Sequence, residues 1–314
     1  MLAAAMSALV AAATCADEPV DQAVALFEKR QYAEAATLLA TVVQAEPGNA
    51  RAHAYYGMAL ANSTGDLDGA VAHLEKAATI EPGSSRYQVW LGSAYSSKAG
   101  RAGLFKAASL AGKAKTAFEK AVALDPSSAE AHQALLQYYL YAPGVAGGSV
   151  AKARDQAAAI GKLDAHRGHL AAARIAEYEK DWPAADKAYR DALALQPERG
   201  ATHNSLGYAL LRQGHNDDAI AEFRRYVELA PGDANPHDSL GEGLAAAGKL
   251  DESVASYRKA LELNPAYPSS VWGLGDCLER LGRRDQAKAQ YKRYLELAPR
   301  GANADEARKR LAKP

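Results

Sequence analysis

The residues of this chain that could do chemistry are few and scattered. His166 and His169 stand three apart with Asp164 beside them, a spacing that puts both imidazoles on one helix face. A bound metal needs further ligands from a second element. The sequence offers no clear one, so the pair reads as solvated side chains at the start of a helical unit. His203 and His237 hold the same place in successive repeating units, which points to packing and not to catalysis. Cys277 lies within GLGDCLERLG, at a spacing that suits a small core side chain near a helix seam. With Cys15 it makes two cysteines, too few for a disulfide framework. Residues 144–149 are rich in Gly, but they follow a helical stretch, whereas a phosphate cradle follows a strand and opens a helix. Neither a GxxxxGK loop followed by Ser or Thr nor a GxSxG elbow occurs. Carboxylates are plentiful but interleave with Lys and Arg on helix faces, and no acid–base pair stands apart. The expectation is a chain that is not an enzyme and carries no cofactor and no metal.

The elements that must position these residues follow from composition. Of 314 residues, 48% are hydrophobic but only 7% aromatic, and much of the remainder is Ala. Such a chain cannot fill a thick core with large side chains. It can fill the thin seam between closely approaching helices, and Ala is the best helix former. Lys plus Arg and Asp plus Glu are both 37, so no net field favours nucleic acid or an anionic membrane. The run Arg308-Lys309-Arg310 lies in a short polar stretch and reads as a solvated helix face.

Residues 2–14, LAAAMSALVAAAT, are almost wholly apolar, and the first basic side chain is Lys29. The run is shorter than the roughly 20 residues that span a bilayer. It suits the apolar region of a secretory signal, with Thr14 and Ala16 at the −3 and −1 sites and cleavage before Asp17. Residues 1–16 are therefore expected to be an export segment, the mature chain to be periplasmic or secreted, and to contain no transmembrane helix. No basic residue precedes the apolar run; the alternative is a cytoplasmic protein. Lipidation at Cys15 fits poorly, because Ala12-Ala13-Thr14 precedes it.

Internal repeats organise the rest. Pro47, Pro82, Pro126, Pro197, Pro231, Pro265 and Pro299 each follow an apolar helical stretch, and the last three gaps between them are equal. Aligned on those prolines, Gly57, Gly92, Gly207, Gly241 and Gly275 form one column. A small residue forms a second (Ala35, Ala70, Ala114, Ala185, Ala219 and Ala287, with Ser253 as the exception). Four residues on stands a large one: Leu39, Leu74, Phe118, Tyr189, Phe223, Tyr257 and Tyr291. A helix pair cannot bury its apolar face alone, so pairs stack; small residues permit close approach, and the large residue one turn on fills the gap beside them. Proline ends the second helix of each pair. Polar turns such as Gly214-His215-Asn216-Asp217 separate the two helices, with Asp217, Asp251 and Asp285 placed to cap the second one.

This 34-residue helix–turn–helix pattern resembles the tetratricopeptide repeat family over about residues 17–301. The resemblance implies an all-α, right-handed superhelical solenoid of antiparallel helix pairs. Eight repeats start near residues 17, 50, 85, 129, 166, 200, 234 and 268, and residues 302–314 form a C-terminal capping helix. Two adjacent repeats depart from the pattern. The third carries ten extra residues between Gly92 and Ala114, within 96–115, expected to lengthen both its helices. The fourth has Leu136 in the Gly column and a longer loop at 142–149.

The resemblance also implies a function, binding of a protein or peptide partner in a concave groove lined by the first helix of each pair. Counted from the Gly column, the groove positions are Asn204 and Tyr208, Asp238 and Glu242, Trp272 and Asp276, with Glu279 beyond. Arg174 extends the set in the fifth repeat, and Gln133 and Gln137 in the fourth. Tyr208 and Trp272 read as aromatic anchors, and the acids as an end patch that prefers a partner with a basic segment. A clamp for a chain-terminal carboxylate is not expected, since its basic positions carry Asn204, Tyr208, Asp238 and Trp272. The alternatives are a cytoplasmic adaptor of the same fold, or an enzyme with a site in the irregular stretch 85–165.

Overall fold

The computed structural model describes residues 18–312; the expected export segment 1–16 lies outside them. Among the described residues the chain is helix and turn with no strand. It runs α1 (18–28), α2 (Tyr32–Ala45), α3 (Ala50–Ser63), α4 (Leu67–Ile80), α5 (Ser85–Ala99), α6 (Leu104–Leu124), α7 (Ala129–Tyr141) and α8 (Val150–Leu163). There follow α9 (Ala165–Glu179), α10 (Trp182–Leu195), α11 (Gly200–Arg212), α12 (Asn216–Leu229), α13 (Ala234–Ala246), α14 (Leu250–Leu263), α15 (Pro268–Arg280), α16 (Arg284–Leu297) and α17 (Ala302–Ala312). Consecutive helices form eight antiparallel pairs, and α17 follows alone. The chain divides into two compact units between Leu163 and Asp164. Unit 1 contains α1–α8 and unit 2 contains α9–α17.

The columns read from sequence meet in space. The small second-helix residues Ala35, Ala70, Ala114, Ala185 and Ala219 are fully buried. The large residue one turn on packs over the glycine of the preceding helix: a Cβ on Gly207 would lie 2.5 Å from the Phe223 ring, and one on Gly92 would lie 2.6 Å from the Phe118 ring. Glycine is required there because the ring occupies the space of a side chain. Ser253, the exception among the small residues, donates its hydroxyl to the Gly241 carbonyl at 2.7 Å and lies 3.2 Å from the Cys277 sulfur. Cys277 is buried in this seam, as its spacing predicts, and burial pushes its thiol pKa up, away from the reactive thiolate.

The prolines act one residue early. In each of the seven proline-terminated pairs the second helix ends two residues before Pro, and the residue between leaves helical geometry, as at Glu46, Glu81 and Ala230. In four pairs a histidine then holds the proline carbonyl. The Nε2 of His53, His132, His203 and His237 each bonds the carbonyl six residues before it, on Pro47, Pro126, Pro197 and Pro231, at 2.9–3.2 Å. The recurrence of His203 and His237 is therefore structural.

Three expectations need correction. The ten extra residues of the third pair lengthen one helix, not both: α6 has 21 residues, against 15 in α5 and 14 in α4. Asp217, Asp251 and Asp285 lie inside the first turn of α12, α14 and α16, two residues past the N-cap, and cap nothing. There they meet the positive helix end, and two of them pair with the next repeat: Asp217 with Lys249 and Asp251 with Arg283, both at 2.7 Å. Arg310 is not solvated; its side chain lies against unit 2, as described below.

Candidate functional site

In unit 2 the first helices carry one side chain each in a single register, one repeat apart: Arg174 on α9, Tyr208 on α11, Glu242 on α13 and Asp276 on α15. The next step of the same length reaches Arg310 on α17, so the final helix continues the row as a ninth first helix. The rungs touch. The Tyr208 hydroxyl donates to Glu242 Oε2 at 2.9 Å and lies 3.3 Å from Ser239 Oγ. The Tyr208 ring stands edge-on to Phe223, and burial holds the phenol well above its usual pKa. Arg310 bonds Asp276 Oδ1 at 2.7 Å, Glu279 Oε2 at 2.9 Å and the Tyr291 hydroxyl at 2.7 Å.

The second groove register holds Asn204, Asp238 and Trp272. Asp238 is 7% exposed and accepts hydroxyl bonds from Ser269, at 2.8 Å, and Ser270, in the first turn of α15. Burial raises its carboxyl pKa, and the two serine bonds work the other way. Trp272 packs on the Tyr291 and Tyr294 rings, and the Arg310 guanidinium lies 5.1 Å from its ring centroid. Asn204 is half-buried, and its Oδ1 is buried without a hydrogen-bond partner. Of the seven residues assigned to the groove, Tyr208, Asp238, Glu242, Trp272 and Asp276 are thus engaged by the chain itself. The acidic end patch is neutralised by Arg310, a residue the sequence reading placed in solvent. Its signal was available, since 276 and 310 are one repeat apart. Arg174 and Glu242 remain exposed.

Unit 1 places its groove residues differently. Gln137 on α7, with Ser93 and Ser96 on α5, lines a pocket of about 580 Å³. Gln133 lies half-buried on the same helix. Most of the wall is alanine: Ala99 from α5, Ala107, Ala108 and Ala111 from α6, Ala134 from α7 and Ala146 from the following loop. Leu104, Tyr141 and Val145 also line it and stay exposed, Leu104 at 82% and Val145 at 98%. Both irregular stretches converge here, since the α5–α6 extension forms one side and the 142–149 loop the other. Tyr138 pins them, its hydroxyl 2.9 Å from the Ala111 carbonyl and 2.7 Å from that of Ala146.

The other sequence candidates stay apart. Asp164 caps α9 by accepting from the Arg167 N–H at 3.0 Å. His166 is buried 3.4 Å from Thr202 Oγ1, while His169 faces Asp191 at 4.0 Å. Among the described residues no group of three His, Cys, Asp or Glu side chains could hold a metal, and no helix is long and apolar enough to cross a membrane.

Comparison with known proteins agrees with the helix pairing. Models of the tetratricopeptide repeat match residues 20–85 and 170–234, 241–282, and 269–300, together more than half of the chain. None of these ranges enters 86–169, which holds the pocket. No curated protein matches the chain. Among solved structures, yeast Tom70 superimposes with a TM-score of 0.70 at 16% identity, over 89% of this chain and 58% of that one. The chain thus spans little more than half the length of that relative. A tetratricopeptide repeat protein from Parabacteroides merdae superimposes with a TM-score of 0.57 at 14% identity, over 84% of this chain and 98% of that one. At such identities the likeness is one of fold.

Proposed function

Because this chain belongs to the tetratricopeptide-repeat family, generally one of protein-binding scaffolds, we propose that it is a non-catalytic scaffold holding a peptide segment of a partner protein along the first-helix face of unit 2. The observation that carries this reading is the Arg174–Tyr208–Glu242 register. It keeps a charge of each sign exposed on either side of a tyrosine fixed by a hydrogen bond. Such a row reads an extended or helical segment by spacing and charge. Glu242 is the rung left for a basic residue, because Asp238 is buried and Asp276 is paired with Arg310, whereas Glu242 is exposed and bonded only to the neutral Tyr208 hydroxyl; Arg174 selects an acidic one. The apolar run 2–14 supports export, so the partner is proposed to be a periplasmic or extracellular protein.

Peptides selected from a random library on the purified chain provide the test. Their affinity is measured on the native chain and on Arg174→Glu and Glu242→Arg, both at exposed positions. Loss of about tenfold or more in each variant, recovered by reversing the matching peptide charge, is the expected result. Peptides that bind both variants undiminished sink the assignment. The compartment is tested separately by N-terminal sequencing of the protein recovered from its cells, where an intact Met1 excludes export by this segment.

A further inference from the structure

The pocket of unit 1 has a different chemistry from the unit 2 register. Its volume of about 580 Å³ falls within the roughly 300–1,000 Å³ of small-molecule sites. No charged side chain lines it. The alanines give a smooth bore with few polar atoms, and the Tyr138 hydroxyl is already committed to two carbonyls. Ser96 and Gln137 are left to meet a polar group.

The two stretches that build the pocket are rich in bases, of which Lys98 pairs with Asp68 and Lys115 loosely with Glu119. Residues 82–118 carry Arg86, Lys98, Arg101, Lys106, Lys113 and Lys115, and residues 131–154 carry Lys152 and Arg154; neither stretch contains an Asp or Glu. In a chain with equal numbers of acids and bases this is a local excess, and it falls on the two stretches that build the pocket. Lys115 is the cation at its edge. It lies one turn beyond Ala111 on α6, and its side chain runs against Gly147, the neighbour of wall residue Ala146. Its ammonium stands 3.7 Å from Glu119, a loose pair.

We propose that this pocket binds a single-chain amphipathic anion of the fatty-acid type, with the apolar tail in the alanine-lined bore and the carboxylate towards Lys115. An apolar cavity with cations outside it matches a ligand that is apolar along its length and negative at one end. The same charge disfavours a second copy of this chain on the site, because pairing would set the two basic surfaces against each other. A membrane surface would engage the exposed rim of Leu104 and Val145 but leave the bore unfilled, so filling the bore separates the two cases. The proposal concerns unit 1 alone and stands or falls independently of the peptide register in unit 2.

The experiment titrates the full chain with a fluorescent polyene fatty acid, cis-parinaric acid, and then displaces it with palmitate or with hexadecanol. Saturable binding of one probe per chain is expected, with palmitate displacing it more effectively than the uncharged alcohol. Ala108→Trp fills the bore from an exposed wall position, so the fold is retained, and thermal melting checks this. It should weaken probe binding at least tenfold. Lys115→Gln should weaken palmitate and leave hexadecanol unchanged, whereas Arg174→Glu and Glu242→Arg should change neither. Three results would overturn the proposal: no saturable binding, equal binding by a folded Ala108→Trp chain, or uptake only by phosphatidylglycerol vesicles that is indifferent to Ala108→Trp.

Discussion

The third and fourth helix pairs of unit 1 and the four pairs of unit 2 start from the same columns and end with different surfaces. Phe118 and Phe223 are equivalent residues, each seated over a glycine of the preceding helix. Phe223 is enclosed, with Gly207 on one side, Gly243 on another and Tyr208 edge-on. Phe118 has one side turned to the pocket, because the longer α6 and the 142–149 loop hold their neighbours away from it. In unit 2 two pairs of first-helix side chains bond across one repeat, Tyr208 to Glu242 and Asp276 to Arg310, while Arg174 and Glu242 stay exposed. In the irregular pairs they face space. Regular spacing brings Tyr208 within reach of Glu242 and Asp276 within reach of Arg310; in unit 1 the insertions open a cavity instead.

This contrast predicts unequal costs for the same substitution. Phe223→Ala leaves a closed void and should destabilise by about 3–5 kcal/mol. Phe118→Ala merges with an existing pocket and should cost clearly less. Denaturant unfolding of both variants decides the point, and equal losses would mean that the pocket side of Phe118 is as tightly packed as the enclosed side of Phe223. The second test is local to unit 1. A Cβ on Gly148 would collide with the Ala142 carbonyl, so Gly148→Ala must move the loop, at about 1–3 kcal/mol. Hydrogen exchange should rise in 142–149 and α7 while α11–α16 stay unchanged.

The matching test in unit 2 is Arg310→Ala. It removes the bonds to Asp276 and Glu279 and uncovers Trp272, and should cost about 1.5–3 kcal/mol. Protection of α17 should fall most. The same variant should gain affinity for basic peptides, because two carboxylates return to the groove. A neutral effect on both readouts would mean that Arg310 is a passenger.

The smallest expected effect is a pH dependence confined to unit 1. His53 and His73 meet Nδ1 to Nδ1 at 2.8 Å. Burial lowers the pKa of both; Lys76 adds to this at His53, and His53 itself at His73. The unfolded chain therefore binds more protons than the folded one below the usual imidazole value of about 6.5. Stability contributed by the neutral pair is full above that value and is lost as pH falls towards the folded values. Exchange in α3 and α4 should rise between pH 7 and pH 5 in the native chain, and less so in His73→Gln.

Much of this architecture was legible because it repeats. Helix pairs, the glycine and aromatic columns and the proline stops each recur at a fixed spacing, and a side chain that recurs once per repeat meets its copies in successive repeats by construction. Even the Asp276–Arg310 contact is one repeat long. What did not repeat was misread: the extension between Gly92 and Ala114 is mostly good helix formers, so sequence could not say that α6 would take most of it. The first-helix positions were also legible, but not their state. Asp238 reads as an exposed acid in a polar helix; it is buried, and two serines of the following first helix reach it.

The sequence by itself determined the helices, their pairing and the register of the first-helix side chains, since these depend on local propensity and on spacing along one chain. Only the tertiary structure decided which of those side chains remain available. Whether a polar group is satisfied depends on neighbours one repeat away and on their rotamers, and whether an apolar wall encloses space depends on how two insertions converge. Those are properties of packing in three dimensions, and they set the difference between the partly bonded row of unit 2 and the open pocket of unit 1.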